Sequence, residues 1–123
     1  MKVKVDAAPA GAALDRIVAL TQGLHEGDDG TWRNSQDRFV HPPIRGGRAG
    51  QPIWCPSGNI GAAFDLLPPD KMIGFDSILK KWIVWHIVSY DGPTEFTEAD
   101  TAPLAIVRAF LKARGITEIE AEW

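Results

Sequence analysis

The chain lacks the features that mark disulfide-rich, secreted and membrane-spanning proteins. Cys55 is the single cysteine in 123 residues, so an internal disulfide is excluded and a reducing cytoplasm is the expected compartment. No apolar run approaches the roughly 20 residues that cross a bilayer. Asp6 and Asp15 interrupt the N-terminal segment, where a signal peptide needs a continuous apolar stretch. We therefore expect a cytoplasmic protein with no membrane partner.

Basic charge and grouped metal ligands are also scarce. The chain has 13 Lys and Arg against 16 Asp and Glu, a net charge of −3. This balance argues against a surface that attracts nucleic acid everywhere, but it permits a local basic patch. His25, His41 and His86 stand alone in the sequence, and "HEGDD" at 25–29 has no recognised ligand spacing. We predict no metal site, no other cofactor, and a solvated turn at "HEGDD".

Hydrophobic residues are present in the proportion that a packed core requires. They make up 45% of the chain, and charged residues make up 24%, which is typical of a globular domain. The length suits one domain, and we find neither an internal repeat nor a domain boundary. The sequence predicts a single domain over 1–123.

Three segments have the apolar spacing of amphipathic helices. Asp15 and Arg16 fall on the polar side of the first, which follows Pro9 and ends at Gly23. Either Ser57 or Asn59 caps the second, and either Asp100 or Thr101 caps the third, which Gly115 closes. The predicted apolar faces are Ala10, Ala13, Leu14, Ile17, Leu20 and Leu24; Ile60, Ala63, Phe64 and Leu67; and Leu104, Ile106, Val107, Phe110 and Leu111.

Strand patterns occur at both ends and in the middle of the chain. "MKVKV" and "ITEIEAEW" alternate polar and apolar residues, and "KMIGFD" and "KKWIVWHIVSY" form a predicted hairpin around Ser77. The second hairpin strand is apolar on both sides, which is typical of a central strand covered on both faces. "DGPTEFTEAD" looks like an acidic connection. The prediction is an α+β fold with about four mainly antiparallel strands and three helices covering both faces.

Residues 25–56 show no sustained period, apart from a possible short strand at "DRFV", and we predict a long irregular loop there. Part of it, 32–55, is locally basic. It contains Arg33, Arg38, Arg45 and Arg48 against a single acid, Asp37. Trp32, Phe39 and Trp54 lie among these arginines, a composition suited to stacking on single-stranded bases.

Two interpretations of this basic loop remain open. In the first, Arg33, Arg38, Arg45, Arg48 and Trp54 bind single-stranded nucleic acid, and the glycines of "IRGGRAGQP" let backbone amides approach phosphates. In the second, 25–56 is a flexible connection whose aromatic side chains pack into the core. "IRGGRAGQP" lacks the lysine and Ser/Thr of a P-loop, so we favour the connection.

Three further positions have a chemical and a structural interpretation. Cys55 precedes the second helix, where the helix dipole could lower the thiol pKa and make it a nucleophile, but no catalytic partner can be assigned, and an incidental cysteine is the simpler interpretation. Asp100 is expected to act as a helix cap. Arg108 and Lys112 are expected to form a solvated face.

Three segments together resemble a known family. "AGAALDRIVAL", "SGNIGAAFDLL" and "EADTAPLAIVRAFLKARG" resemble the phage ABA-sandwich domain family, and the C-terminal half is similar to NinX-like phage proteins. The most specific motif covers Asp100–Ala109, and the resemblance spans most of the chain except 25–56. Pro56, Ser57 and Gly58 stand near the position where family members often have a tyrosine-serine-x-aspartate motif, so no role of that motif transfers.

The resemblance implies a phage or prophage origin, a bacterial host cytoplasm and a helix–sheet–helix layering, but no particular reaction. The functional hypothesis is a phage accessory protein that acts as a non-enzymatic module and binds an unknown protein partner. Single-stranded nucleic-acid binding through the basic loop 32–55 is one alternative. An enzyme with a site near Cys55 is another.

Overall fold

The computed structural model describes residues 2–44, 53–86 and 96–120. The helices in these ranges are α1 (Ala12–Thr21), α2 (Ile60–Phe64) and α3 (Ala102–Ala113). The strands are β1 (Lys2–Lys4), β2 (His25–Glu26), β3 (Trp32–Arg33), β4 (Phe39–His41), β5 (Lys71–Asp76), β6 (Lys81–His86), β7 (Phe96–Ala99) and β8 (Glu118–Glu120). They form three small antiparallel sheets, β1-β8, β2-β3-β4 and β5-β6-β7. The predicted α+β content is confirmed, but the arrangement of about four strands is not, since the described residues form eight short strands in three sheets.

Helix α3 lies at the centre of the molecule. Its buried residues fall on most sides of the helix, all but the side of Arg108 and Lys112: Ala102, Leu104, Ala105, Ile106, Val107, Ala109, Phe110 and Leu111. A helix that is apolar nearly all round must be enclosed by other elements. Strands β6 and β7 pack on one side of α3, and α1, α2 and the short 3-10 turn Val5–Ala7 pack elsewhere on it. The core is therefore built around a helix, not around a central sheet.

Both ends of α3 follow the predicted capping chemistry. Thr101 is the N-cap, and its Oγ1 accepts a hydrogen bond from the amide of Leu104 at 3.4 Å. Gly115 has φ +79° just beyond the helix, a backbone conformation that suits glycine. Asp100, the alternative cap, instead pairs with Lys81.

The polar residues of α3 do not form the predicted solvated face. Arg108 is half-buried, and its guanidinium donates to the carbonyl oxygens of Glu98 at 3.0 Å and Ala8 at 2.7 Å. Burial lowers the pKa of Arg108. Lys112 pairs with Asp6 at 3.1 Å. These side chains tie the N-terminal segment and β7 to the central helix.

The predicted hairpin is present as β5 and β6. Asp76 shapes its turn by accepting hydrogen bonds at Oδ1 from the amides of Ile78 and Leu79, both at 2.9 Å. The remainder of the predicted strand beyond His86 lies outside the described residues. The prediction of an acidic connection was wrong for Phe96–Ala99, which forms β7. Thr97 and Ala99 of this strand are buried, whereas Phe96 and Glu98 are exposed.

The two faces of the β5-β6-β7 sheet have different surroundings. Ile73, Val84 and Thr97 are paired neighbours on the inner face, where Val84 is 2% exposed and Thr97 6%. Met72 and Phe96, on the outer face, are 45% and 54% exposed. Helix contacts with the sheet come mainly from α3. Among the described residues, the predicted covering of both faces by helices is therefore not found.

The segment 25–56 contains a three-stranded meander, so the prediction of an irregular loop was wrong for its first half. Its strands are two or three residues long, and Trp32 at 0% exposure anchors them to the core. Asn34 shapes the β3-β4 turn by accepting hydrogen bonds at Oδ1 from the amides of Gln36 and Arg38. The possible strand at "DRFV" is present in part as β4.

The terminal strands pair with each other, as their alternation predicts. Val3 lies opposite Ile119, and two Lys–Glu pairs, Lys2 with Glu120 and Lys4 with Glu118, flank them. Ile119 is buried and its glutamate neighbours are exposed. Residues 121–123 of the predicted strand lie outside the described residues.

The predicted apolar faces of α1 and α2 are correct only in part. Leu14 and Val18 of α1 are buried, but Leu20 is 53% exposed and Asp15, expected on the polar side, is buried. Asn59 caps α2 by accepting a hydrogen bond from the amide of Ala62 at 3.0 Å.

Ala63 of α2 is buried, whereas the neighbouring Ile60 and Phe64 are 43% and 52% exposed. In the ranges that the structure describes, no helix is both long enough and apolar enough to span a bilayer.

Candidate functional site

Arg33, the first residue of the predicted nucleic-acid surface, is engaged within the meander. Its guanidinium donates to the carbonyl oxygen of Asp37 at 3.0 Å and lies 3.6 Å from the Asp29 carboxylate. The Asp29 pKa is lowered, chiefly by its hydrogen bond from the Thr31 hydroxyl. Arg33 thus links two turns of the meander.

Trp54, the predicted stacking residue, is buried. It is 5% exposed, and its ring stacks on His41 with centroids 4.2 Å apart and planes 8° apart. Its amide donates to the carbonyl oxygen of Pro43 at 2.9 Å. Burial lowers the pKa of His41, against an opposing effect of Asp65. The Trp54 side chain packs the segment at 53–56 against the meander. Its ring faces are therefore not available to a nucleobase.

The other predicted nucleic-acid residues are placed differently. Arg38 is exposed, while Arg45 and Arg48 lie outside the described residues. Trp32 is buried, and Phe39 at 59% exposure is the accessible aromatic side chain of this group. The described residues of the set therefore do not share one accessible face. Nucleic-acid binding by Arg38, Arg45 and Arg48 stays a prediction.

Cys55 lies beside a buried polar group that its sequence environment did not reveal. Asp15 is 1% exposed, and its Oδ1 accepts a hydrogen bond from the Ser57 amide at 2.8 Å. The Ser57 hydroxyl in turn accepts from the amide of Gly11 at 2.9 Å. This network joins the start of α1 to the segment before α2. The residues in contact are 42 and 46 positions apart, so no local pattern signals it.

The surroundings of Cys55 change its thiol pKa in the direction opposite to that of an activated thiol. Burial raises the pKa of Cys55, and the charge of Asp15 raises it further. The alternative in which a helix dipole lowers this pKa is not supported, because α2 has five residues and the dominant effects are burial and a nearby carboxylate. Burial also raises the pKa of Asp15, against the hydrogen bonds from Ser57.

Metal-ligand geometry is not found in the part of the chain that the structure describes, where no group of three His, Cys, Asp or Glu side chains converges. His25, from the "HEGDD" stretch, pairs with Asp37 at 3.2 Å on an exposed surface. The stretch itself forms β2 and the turn that follows it.

An open groove of about 680 Å³ lies between α1 and the meander. Its apolar walls come from Ala12, Ala13, Ile17, Leu20, Pro43 and Ile44. The charged residues that line it are Arg16, Glu26 and Glu120. Arg16 pairs with Glu26 at 3.1 Å, and Glu120 lies opposite Lys2 in the β1-β8 sheet.

The outer face of the β5-β6-β7 sheet carries a contiguous line of large apolar side chains, which we call the apolar row. It consists of Met72, Trp85 and Phe96, which are direct cross-strand neighbours in the register of the sheet. Three strands at the usual spacing make this row roughly 10 Å long. Met72 and Phe96 are about half exposed, and Trp85 is half-buried.

Glycine at position 74 sets the orientation of the central ring. A Cβ at Gly74 would lie 3.0 Å from Cη2 and 3.3 Å from Cζ3 of Trp85. The indole therefore lies across Gly74, and a larger residue there would displace it. This packing lays the Trp85 ring along the outer face of the sheet.

Acidic side chains follow the apolar row along β7. Glu98 is exposed and lies two residues after Phe96, so it is on the same face of the strand. Asp100 follows and pairs with Lys81, whose hydrogen bond lowers the Asp100 pKa. The sequence analysis missed this site because it treated 91–100 as a connection. The sequence of Phe96–Ala99 does not alternate apolar and polar residues, because the exposed positions include Phe96 and the buried ones include Thr97, so no local period could have revealed it.

Comparison with known proteins adds no family to the fold class that the structure shows. No family model, no curated protein and no solved structure matches the chain. The fold and the candidate site define an α+β domain with an exposed apolar row on one sheet.

Proposed function

We propose that this protein is a small non-enzymatic module that binds another protein through the apolar row. The observation that supports the proposal is the arrangement of Met72, Trp85 and Phe96, adjacent across three strands and substantially accessible to solvent. Contiguous apolar surface of this kind marks interaction sites. Aromatic and methionine side chains are the residue types enriched at protein–protein interfaces.

A protein partner suits this surface better than a small molecule or a nucleic acid. The row lies on the face of a sheet, whereas small ligands are usually held in concave pockets. Glu98 and Asp100 beside the row would repel phosphates. Burial of Trp54 and the internal pairing of Arg33 weaken the case for the nucleic-acid alternative, and the raised pKa of Cys55 weakens the case for a thiol enzyme.

The phage or prophage accessory role, in a bacterial cytoplasm, belongs to the same proposal. Its support is the resemblance of Asp100–Ala109 and the two weaker helix motifs to phage proteins. A binding module is compatible with such a role, since the proposal requires a partner and no catalytic group.

Selection from a displayed library of random peptides tests the proposed function. Peptides selected on the wild-type protein should lose affinity when Phe96 is replaced in Phe96→Ser, because an exposed anchor of the site is removed. Removal of an interface anchor commonly costs more than about 1 kcal/mol, which is roughly fivefold or more in Kd. Titration of each labelled peptide by fluorescence anisotropy gives the affinities.

Phe39→Ser is the matched control for Phe96→Ser. Phe39 is similarly exposed, but it belongs to the meander, so this substitution should leave peptide affinity unchanged. Unaltered thermal midpoints would show that both variants keep the fold. If the selected peptides bind Phe96→Ser as tightly as wild type and lose affinity for Phe39→Ser, the binding surface is the meander and the proposal is wrong.

A further inference from the structure

We propose that the segment received by the apolar row is cationic, with Lys or Arg next to an aliphatic or aromatic anchor. This inference rests on the proposed function and adds the chemistry of the partner. It starts from the acidic character of β7 and its surroundings, on the same sheet face as the row.

The charge beside the row has one dominant sign. In the part of the chain that the structure describes, β7 and the residue that follows it carry two acids, Glu98 and Asp100, and no Lys or Arg. Within the described residues, Glu98 lies on the outer face next to Phe96, and Asp100 follows directly after β7. A cationic group of the partner that lies beside Phe96 would therefore be attracted by the carboxylates of this protein.

Compensation of these acids within the protein is incomplete. Lys81 pairs with Asp100, but no ion pair engages the Glu98 carboxylate in the described part of the chain. Arg108 is near enough for the Glu98 charge to oppose the lowering of the Arg108 pKa by burial, but its guanidinium donates hydrogen bonds to the backbone carbonyl oxygens of Glu98 and Ala8. The Glu98 carboxylate is thus an exposed acceptor at the edge of the apolar row.

The central ring adds a second attraction for a cation. An ammonium or guanidinium group over the face of a tryptophan is attracted by the ring quadrupole, and the Trp85 ring lies along the sheet face because of its contact with Gly74. A Lys or Arg side chain can therefore cover Trp85 with its aliphatic stem and direct its charge towards Glu98.

The other occupants of this surface fit its charge less well. A second copy of the chain would bring its own acidic β7 to the same place, and the chain has a net charge of −3, so two such faces repel each other. A nucleic acid would bring phosphates to Glu98. A cationic protein segment complements both parts of this surface, the apolar row and the acidic side chains beside it.

The test uses the peptides selected from the random library on wild-type protein. The peptides that lose affinity for the Phe96→Ser variant should be enriched in Lys and Arg beside aliphatic or aromatic residues. Their affinity should fall as salt rises from low to moderate concentration, because exposed charges are screened. Glu98→Lys should weaken them about two- to tenfold at low salt and flatten the salt dependence.

Glu118→Lys provides the matched charge reversal on an exposed strand residue of the β1-β8 sheet, and it should leave affinity within error. Peptides that require Phe96 but lack basic residues, or are unaffected by Glu98→Lys, would overturn this inference and leave the proposed function standing. Failure to select any peptide that requires Phe96 would overturn both. Concentration-dependent dimerisation abolished by Phe96→Ser in sedimentation experiments would assign the row to a second copy and overturn the inference.

Discussion

At the scale of single residues, Asp15 is a carboxylate that the fold holds away from water. Burial raises its pKa above the ordinary value of 3.8 even though the Ser57 amide donates to it. The folded state therefore binds the Asp15 proton more tightly than the unfolded state does. The stability contributed by this group is fully present below the unfolded pKa, and it is lost as pH rises through the higher folded pKa.

This linkage predicts the behaviour of Asp15→Asn. The amide oxygen of asparagine can accept the Ser57 hydrogen bond without carrying a charge, so wild type should lose stability relative to the variant as pH rises from about 3.5 to 7. Each unit of pKa elevation corresponds to about 1.4 kcal/mol. Urea denaturation of both proteins across this pH range gives the difference. A difference that is constant, or that changes in the opposite direction, would contradict the assignment.

The sequence could not reveal Asp15 and Arg108 as structural residues. Helical spacing places each on the less apolar side of its helix, which normally faces solvent. Their partners, Ser57 for Asp15 and the carbonyl oxygen of Ala8 for Arg108, are 42 and 100 positions away. Contacts at such separation depend on how the elements pack, and packing is not encoded in a local period.

At the scale of elements, the extent and the apolar residues of α3 were predicted correctly because several local signals agree. Its cap, the proline in its first turn, its apolar spacing and its closing glycine all act within the helix or at most two residues beyond it. The meander was missed for the opposite reason. Strands of two or three residues have no measurable period, and their position depends on burial of Trp32 in the core of the whole domain.

Phe110 tests the central position of α3. It is 6% exposed, so Phe110→Ala should cost about 3–5 kcal/mol through lost burial and a residual cavity. Phe39→Ala, at an exposed aromatic residue of β4, should change stability by less than about 1 kcal/mol. Chemical denaturation measures both. Equal effects of the two substitutions would mean that α3 is not the helix around which the core is packed.

At the scale of the whole molecule, the difference between the predicted and observed architecture determines where the candidate site lies. The doubly apolar pattern of β6 predicted a sheet covered by helices on both faces. Instead, α3 packs mainly on the inner face, and α1 and α2 pack on α3. The residues that the pattern assigned to a second buried face, Trp85 among them, belong in part to the exposed apolar row.

The sequence therefore predicted the apolar character of these residues but not their exposure. An apolar strand face looks the same in a sequence whether a helix of the same chain or another protein covers it. The basic segment 32–55 shows the converse for one of its two interpretations. Nucleic-acid binding required an accessible Trp54, whereas the favoured interpretation packed the aromatic side chains into the core, and Trp54 is stacked on His41 in the interior.

The most direct test of the central claim is an amide chemical-shift map of the protein titrated with a library-selected peptide. Binding at the apolar row predicts that the largest shifts cluster on the outer face of β5, β6 and β7, around Met72, Trp85 and Phe96, and that Phe96→Ser reduces them. Shifts confined to the groove beside α1, or to the segment from Arg33 to Trp54, would contradict the claim.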